Sequence, residues 1–407
     1  MRTTSYLLSQ AGRLALLLLL LNGGLCLIPN PVTAQSASRS ATSGQVRIMN
    51  PGTTPWTQAV LEIPWSVVRQ AYPAVDTTQL QIVQASTGEP VPYQFERRGQ
   101  RTVQNLLVQL TVAPKQTILL TLRKGQPAPV AQKTYCRFVP ERYDDFAWEN
   151  DRIAFRIYGK SLNGRSDNAY GTDVWAKRTS QLVINDWYKS GDYHKDHGQG
   201  LDYYQVGLTL GAGDVGIWLG DSINYIHNYT SWQVLDNGPL RSTFRVRFSP
   251  YQFGPITVNA IKTFSLDAGS QLSRIEVQLA HTPSQPLPIV VGITLRPEPR
   301  QVRFDKSSGI MSYWEPAHGN DGTLGIGCVF PVPMATLRQQ RNHALAGTAL
   351  PSDKPFVYYS GAAWDKAGQI TSADAWFAYL QSYANQLRQP LVISAETAGG
   401  SAPRKGR

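Results

Sequence analysis

Cysteine is scarce in this chain, with three residues in 407. One of them, Cys26, falls in an apolar N-terminal stretch, which leaves Cys136 and Cys328. No CxxC or paired Cys/His spacing supports a structural zinc site. Long apolar runs are also missing. Leu14 to Leu21 is too short to span a bilayer, and no later segment approaches the ~20 apolar residues a membrane helix needs, so no membrane anchor is expected. There is no Lys/Arg block or aromatic-basic module, so nothing points to nucleic acid. No repeat of about 20 to 50 residues occurs, which argues against a propeller. Histidine numbers only six.

What is there begins with an address. M-R-T-T-S-Y-L-L-S-Q-A-G-R, the Leu run and N-G-G-L-C-L-I-P-N-P-V-T-A-Q have the charged start, greasy middle and small-residue end of a secretory signal. Cleavage after Ala34 fits, and Leu25 stands where a lipoprotein signal wants a small residue before Cys26. Residues 1–34 are therefore expected to be removed and the protein exported, to the periplasm or beyond. Export permits, without requiring, a disulfide between Cys136 and Cys328. Without residues 1–34 the chain loses Arg2 and Arg13 and no acid, leaving 37 Lys+Arg against 28 Asp+Glu, a net charge of +9. A basic bias of this size suits an anionic partner or a merely solvated surface.

Strand signals dominate the rest. From Gln45 to about Gln126, short β-branched runs such as V-R-I-M and L-L-V-Q-L-T-V are broken by Pro and Gly roughly every ten residues, the pattern of a small β-sandwich. Q-P-A-P-V-A-Q-K reads as a linker. From Tyr135 to about Ser394 the runs lengthen and become aromatic, as in R-I-A-F-R-I-Y-G and I-T-V-N-A-I-K-T-F-S-L, which implies one large antiparallel double-sheet sandwich. The expected class is all-β: a small N-terminal sandwich over 45–130, a large supersandwich over 131–395, and disordered flanks at 35–44 and 396–407. One helix is expected, near the end. Trp376, Phe377, Leu380, Tyr383 and Leu387 recur at helical spacing, with Ser372 as N-cap and Pro390 after the end.

Several segments resemble a known family. E-R-Y-D-D-F-A-W-E-N-D-R-I-A-F-R-I-Y-G, D-V-W-A-K-R-T, D-Y-H-K-D-H-G-Q-G-L-D-Y-Y, D-N-G-P-L-R-S-T-F and A-W-F-A-Y-L are similar to the bacterial family called domain of unknown function 4861. The resemblance covers nearly the whole chain after the signal. It implies a link to breakdown of uronate-containing polysaccharides, a galactose-mutarotase-like supersandwich and, as one activity, dehydration of a terminal uronate. Fold kinship alone does not fix a reaction.

The candidate chemistry concentrates in Asp192 to Tyr204. Read as strand, Gly-rich turn and strand, alternation sets Asp192, His194 and Asp196 on one face. A carboxylate beside an imidazole can fix its tautomer and raise its basicity, so His194 and His197 are the expected proton-transfer residues, with Tyr203 and Tyr204. The same stretch could hold a divalent metal through His194, Asp196 and His197, zinc by ligand type or calcium by its hard oxygens. An irregular surface loop is the plainer alternative. Trp175 with Lys177 and Arg178 would offer a sugar ring an aromatic platform beside a cation. Glu149, Asn150, His227 and Arg241 flank strands and are further expected substrate contacts, whereas His281, His318 and His343 carry less signal. Together these favour β-elimination on an anionic, uronate-containing oligosaccharide, by a dehydratase or a lyase. A glycoside hydrolase, which needs two carboxylates across the bond, and a non-catalytic carbohydrate-binding protein remain the alternatives.

Overall fold

The computed structural model describes residues 42–297 and 299–396. The expected export signal, most of the 35–44 linker and all but the first residue of the 396–407 tail lie outside the described residues. The class is as expected: antiparallel sheets dominate, and the helix near the end is present.

The N-terminal strands form two facing sheets. In the four-stranded one, Ser43–Met49 lies between Thr117–Lys124 and the chain's last described strand, Val392–Glu396, with Leu80–Gln84 at the edge. In the other, Asn105–Val112 lies between Trp56–Pro64 and Tyr93–Glu96. Alternation turns Val46, Ile48, Leu61, Ile63, Leu106, Val108, Leu120 and Leu122 inward, each no more than 2% exposed. The last strand thus leaves the large sandwich to complete the small one, a long-range pairing that local periodicity does not reveal. Two short helices, Trp65–Ala71 and Ile184–Ser190, were also not expected.

Three sheets build the rest. One orders Gly200–Leu201, Asp173–Lys177, Ala154–Ile157, Asp145–Asn150 and Thr134–Val139. A second orders Ser222–Tyr225, Ala212–Leu219, Leu287–Thr294, His343–Leu350 and Thr336–Gln340. Both pack against a nine-stranded sheet that runs from Ser231–Asn237 to Gln301–Asp305. Across one seam Phe146 stacks on Phe244 at 4.0 Å between ring centroids, and Trp148 meets Phe264 at 5.0 Å. The helix Ala373–Arg388 lies on the far face of the nine-stranded sheet, burying Trp376 and Leu380, and the Ser372 hydroxyl accepts from Ala375 N. Gly327 makes that approach close: a Cβ there would come within 2.5 Å of Leu380.

The sandwiches are joined by charge. Arg241, about 7% exposed, pairs with Glu62 and Glu96 of the small sandwich and with Asp267 of the nine-stranded sheet. Gln94 accepts from Leu240 N and Arg241 N, both at 2.8 Å. Arg241 therefore ties sheets together, which corrects its expected role as a substrate cation. Cys136 and Cys328 are buried free thiols, each with its pKa raised by burial to about 12.

Candidate active site

The stretch from Asp192 to Gly200 is not a strand. Only Gly200–Leu201 is extended, and the residues before it form turns, so the expected Asp-His-Asp face does not exist. Its side chains are occupied with the loop itself. Asp196 Oδ1 accepts from Gly198 N and Gly200 N, and its other oxygen pairs with Arg178 at 2.5 Å. His197 Nε2 lies 3.1 Å from Asp192 Oδ2, and His194 Nδ1 lies 2.8 Å from Asp202 O. Both imidazoles project into solvent, with 63% and 65% of their side chains exposed. Gly200, at φ +127°, presses onto its neighbour strand so closely that a Cβ would lie 2.0 Å from Ala176 O. His194, Asp196 and His197 do not converge as metal ligands, and among the described residues no cluster of three His, Cys, Asp or Glu side chains is arranged to hold an ion.

Beneath the loop, the expected sugar platform is core. Trp175 is fully buried, stacked on Tyr193 at 4.9 Å and Trp187 at 5.5 Å. Lys177 is equally buried and donates to Glu149 Oε2 at 2.6 Å and Asn150 O at 2.7 Å. The remaining capacity of Glu149 is taken by Val183 N and Ile184 N, both at 2.8 Å. Asn150 donates to Asp267 O and Ser270 O and accepts from Arg152 N and Ile153 N. Lys177, Glu149, Asn150 and Trp175 are thus enclosed and satisfied structural groups, apart from the Trp175 indole nitrogen, and not a binding surface. Alongside them Arg156 faces three buried carboxylates, Asp173 at 2.5 Å, Asp202 at 3.0 Å and Asp145 at 3.4 Å. Burial in excess of the one cation's compensation raises Asp145 to about 6 and Asp202 well above its ordinary range. His227 is exposed and stacks on Tyr170 at 4.7 Å, away from this cluster's contacts.

A cavity of about 340 Å³ opens beside the end of the same stretch. Tyr203 and Gln205 line it from the segment after Gly200–Leu201, Arg296 from the end of Leu287–Thr294, and Glu315 and His318 from the loop after Ile310–Trp314. Glu315 is 5% exposed, and its Nε partner Arg296 is 3.7 Å from Oε2, longer than a hydrogen bond. Its other oxygen and the Tyr203 hydroxyl each lack a partner in good hydrogen-bonding geometry, but the two side chains lie close enough to act on each other. Burial raises the Glu315 carboxyl to about 7, opposed chiefly by Arg296. Burial, and then the nearby Glu315 charge, push the Tyr203 phenol far above its ordinary range, so it keeps its proton.

Neighbouring bonds hold this corner in shape. Arg296 donates from Nη2 to Gln205 O at 2.7 Å, its backbone N–H donates to the Tyr313 hydroxyl at 2.9 Å, and its guanidinium lies 4.8 Å from the ring centre of buried Tyr204. The ring of His318 stacks on Tyr203 at 5.0 Å while its Nδ1 sits 3.0 Å from Asp321 Oδ2. Trp364 Nε1 donates to Asp321 O at 2.8 Å, and Arg178, held by Asp196, lies over the Trp364 ring at 5.6 Å. The Asp192–Gly200 loop thus buttresses the cavity wall. Of the expected site residues, Tyr203 lines the cavity and Tyr204 backs it, while His194 and His197 do not line it. Arg296 and Glu315 are not singled out by the sequence, and His318 carries little signal there. Their signal was a Pro/Gly-punctuated loop, L-R-P-E-P-R and Y-W-E-P-A-H-G, each following a strand.

Comparison with known proteins settles the family. The model of the domain of unknown function DUF4861 matches residues 48–393. The chain belongs to the DUF4861 family. An uncharacterized protein, P7, from Formosa agariphila is 30% identical over 302 residues, 69% of this chain and 75% of that protein. Two solved structures from Enterococcus faecalis are similar at 10% and 9% identity, a glycosyl hydrolase family 38 protein at TM-score 0.49 and an alpha-mannosidase at 0.47. Each likeness covers 88% of this chain, which spans about half the length of those chains, 48% and 46%. At this level the likenesses carry no argument about activity.

Proposed function

We propose that this DUF4861 protein is an exported carbohydrate-active enzyme that performs β-elimination on a uronate-containing oligosaccharide in the Tyr203–Glu315 cavity. The observation that carries the reading is Glu315: a buried carboxyl with one unengaged oxygen, poised near pH 7, beside a cation and a protonated phenol. A base for a carbon-bound proton is most effective when its pKa lies near the working pH. Glu315 takes the C5 proton, and Arg296 neutralises the uronate carboxylate onto which the resulting charge spreads. That neutralisation is the larger electrostatic contribution, because it meets the charge that develops in the transition state. The C4–O bond breaks with its electron pair on oxygen, the Tyr203 hydroxyl protonates that oxygen, and a C4–C5 double bond forms, conjugated with the carboxylate. Loss of water would make the enzyme a dehydratase, and loss of a sugar alcohol a lyase.

Glycoside hydrolysis uses two carboxylates flanking the bond; among the described residues Glu315 is the carboxylate that lines the cavity, and the product distinguishes the two reactions. The test is to incubate the protein with uronate-containing oligosaccharides and follow ultraviolet absorbance of the conjugated product. Growth of that band, lost in Glu315→Gln, is expected; cleavage or binding without it would leave hydrolysis or simple binding in its place.

A further inference from the structure

On the outer face of the sheet containing Leu287–Thr294 lies a second hollow, of about 200 Å³. Alternation explains its shape. Val215, Ile217, Val291, Ile293, Ala344 and Ala346 turn into the core, so Trp218, His343 and Leu345 face outward into the hollow, while Leu210 covers Gly216 and Gly292 beside it. Half-buried Trp218, Ile223 and Tyr225 form one wall, and the turn Gln340–Asn342 stands opposite.

The polar groups are under-used. His343 is 5% exposed, and its buried Nε2 has no hydrogen-bond partner. The Arg338 guanidinium lies 4.7 Å from the Trp218 ring centre and is bonded to neutral oxygens, Gln340 Oε1 at 2.7 Å and Thr336 Oγ1 at 2.9 Å. Arg341 lines the hollow, and no ion pair joins Arg338 or Arg341 to a carboxylate among the described residues. Among the described residues Asp221 is the one acid lining the hollow, against Arg341 on the lining and Arg338 beside Trp218, which leaves an excess of positive charge.

We propose that this hollow is a second saccharide-binding site, taking one pyranose ring that carries a negative charge as a carboxylate or a sulfate ester. Trp218 and Ile223 meet the apolar face of the ring, the amides of Gln340 and Asn342 and the His343 imidazole meet its hydroxyls, and Arg338 and Arg341 meet the charge. The site is distinct from the Glu315 cavity yet adjacent to it along the chain. Leu295 N donates to Asn342 O at 2.8 Å, and the next residue is Arg296. Occupancy of both sites would anchor a longer chain across the Leu295 crossing.

The test titrates the full chain, carrying Glu315→Gln to prevent turnover, with sodium glucuronate, galactose 6-sulfate and galactose, measuring affinity by calorimetry. Charged sugar is expected to bind at least ~10-fold more tightly than galactose, and Arg338→Gln or Trp218→Ala to weaken it by ~10-fold or more, about 1.4 kcal/mol. Tighter binding of glucuronate assigns the carboxylate, and of galactose 6-sulfate the sulfate ester. Arg296→Gln is expected to leave this binding in place. Affinity unchanged in Arg338→Gln, or charged-sugar binding abolished by Arg296→Gln alone, would overturn the site whether or not the elimination reading stands. Arg338→Gln, a rim change, serves even if Trp218→Ala does not fold.

Discussion

Two regions of this protein invite the same question and answer it oppositely. Asp192–Tyr204 concentrates two histidines, three aspartates and three tyrosines in thirteen residues, yet most of those groups are spent on shaping a loop. The loops bearing Arg296, Glu315 and His318 look ordinary in sequence. They nevertheless leave a buried carboxylate oxygen and a phenol unengaged over a cavity. The difference teaches that a site is marked by unsatisfied chemical capacity more than by density of reactive side chains. Buried polar groups without partners are costly, and those of Glu315 and Tyr203 differ from the equally unpartnered Trp175 indole nitrogen in lying beside a cavity.

The sharpest way to break the comparison is in the enclosed cluster beneath the loop. Lys177→Met should leave the Glu149 carboxyl buried without its cation and cost ~3–5 kcal/mol, read by chemical denaturation. A loss under about 1 kcal/mol would mean that Lys177 is available for substrate after all. The next largest effect belongs to the cavity. Arg296→Gln should lower turnover by ~100-fold and, because Arg296 opposes the upward shift of Glu315, move the acid limb of the pH profile above pH 7. An unmoved limb would detach Arg296 from Glu315.

A smaller effect distinguishes a strained buried cluster from a catalytic one. Asp145 binds its proton more tightly when folded, at about 6, than an unfolded aspartate does. Its contribution to stability is thus fully present below about pH 4 and lost as the pH rises through about 6. Asp145→Asn, which mimics the neutral carboxyl, should therefore stabilise the protein by up to about 3 kcal/mol at pH 8 and by little at pH 4, measured as melting temperature against pH. Equal effects at both pH values would show that the carboxyl is ionised throughout.

The fold was legible in the sequence where structure is local. The strand runs, the Ser372-capped helix and its Trp376–Leu380 face follow from period and caps. The return of Val392–Glu396 to Ser43–Met49 was not, because its partner is some 350 residues distant in the chain and nothing in V-I-S-A-E names it. The proposed site was less legible. Of the residues expected there, Tyr203 lines the proposed cavity and Tyr204 lies behind it, apart from the histidines they were grouped with. Lys177 and Arg241 read as free cations because a sequence shows charge and not its partner, Glu149 in one case and Glu62, Glu96 and Asp267 in the other. Glu315 was invisible for the same reason. Its distinction is burial without full pairing, which Y-W-E-P-A-H-G does not spell.

The central claim, that proton abstraction belongs to Glu315 and not to the histidine-rich loop, is tested most directly by comparing Glu315→Gln with the double variant His194→Ala/His197→Ala. Both are assayed for the unsaturated product on one uronate oligosaccharide from pH 5 to 9. The wild type should show an acid limb near pH 7 as Glu315 ionises. Glu315→Gln should lose that limb and ~10²–10⁴ in turnover, while the exposed double histidine variant should keep both within a few-fold. Full activity in Glu315→Gln, with loss in the histidine variant, would contradict the account.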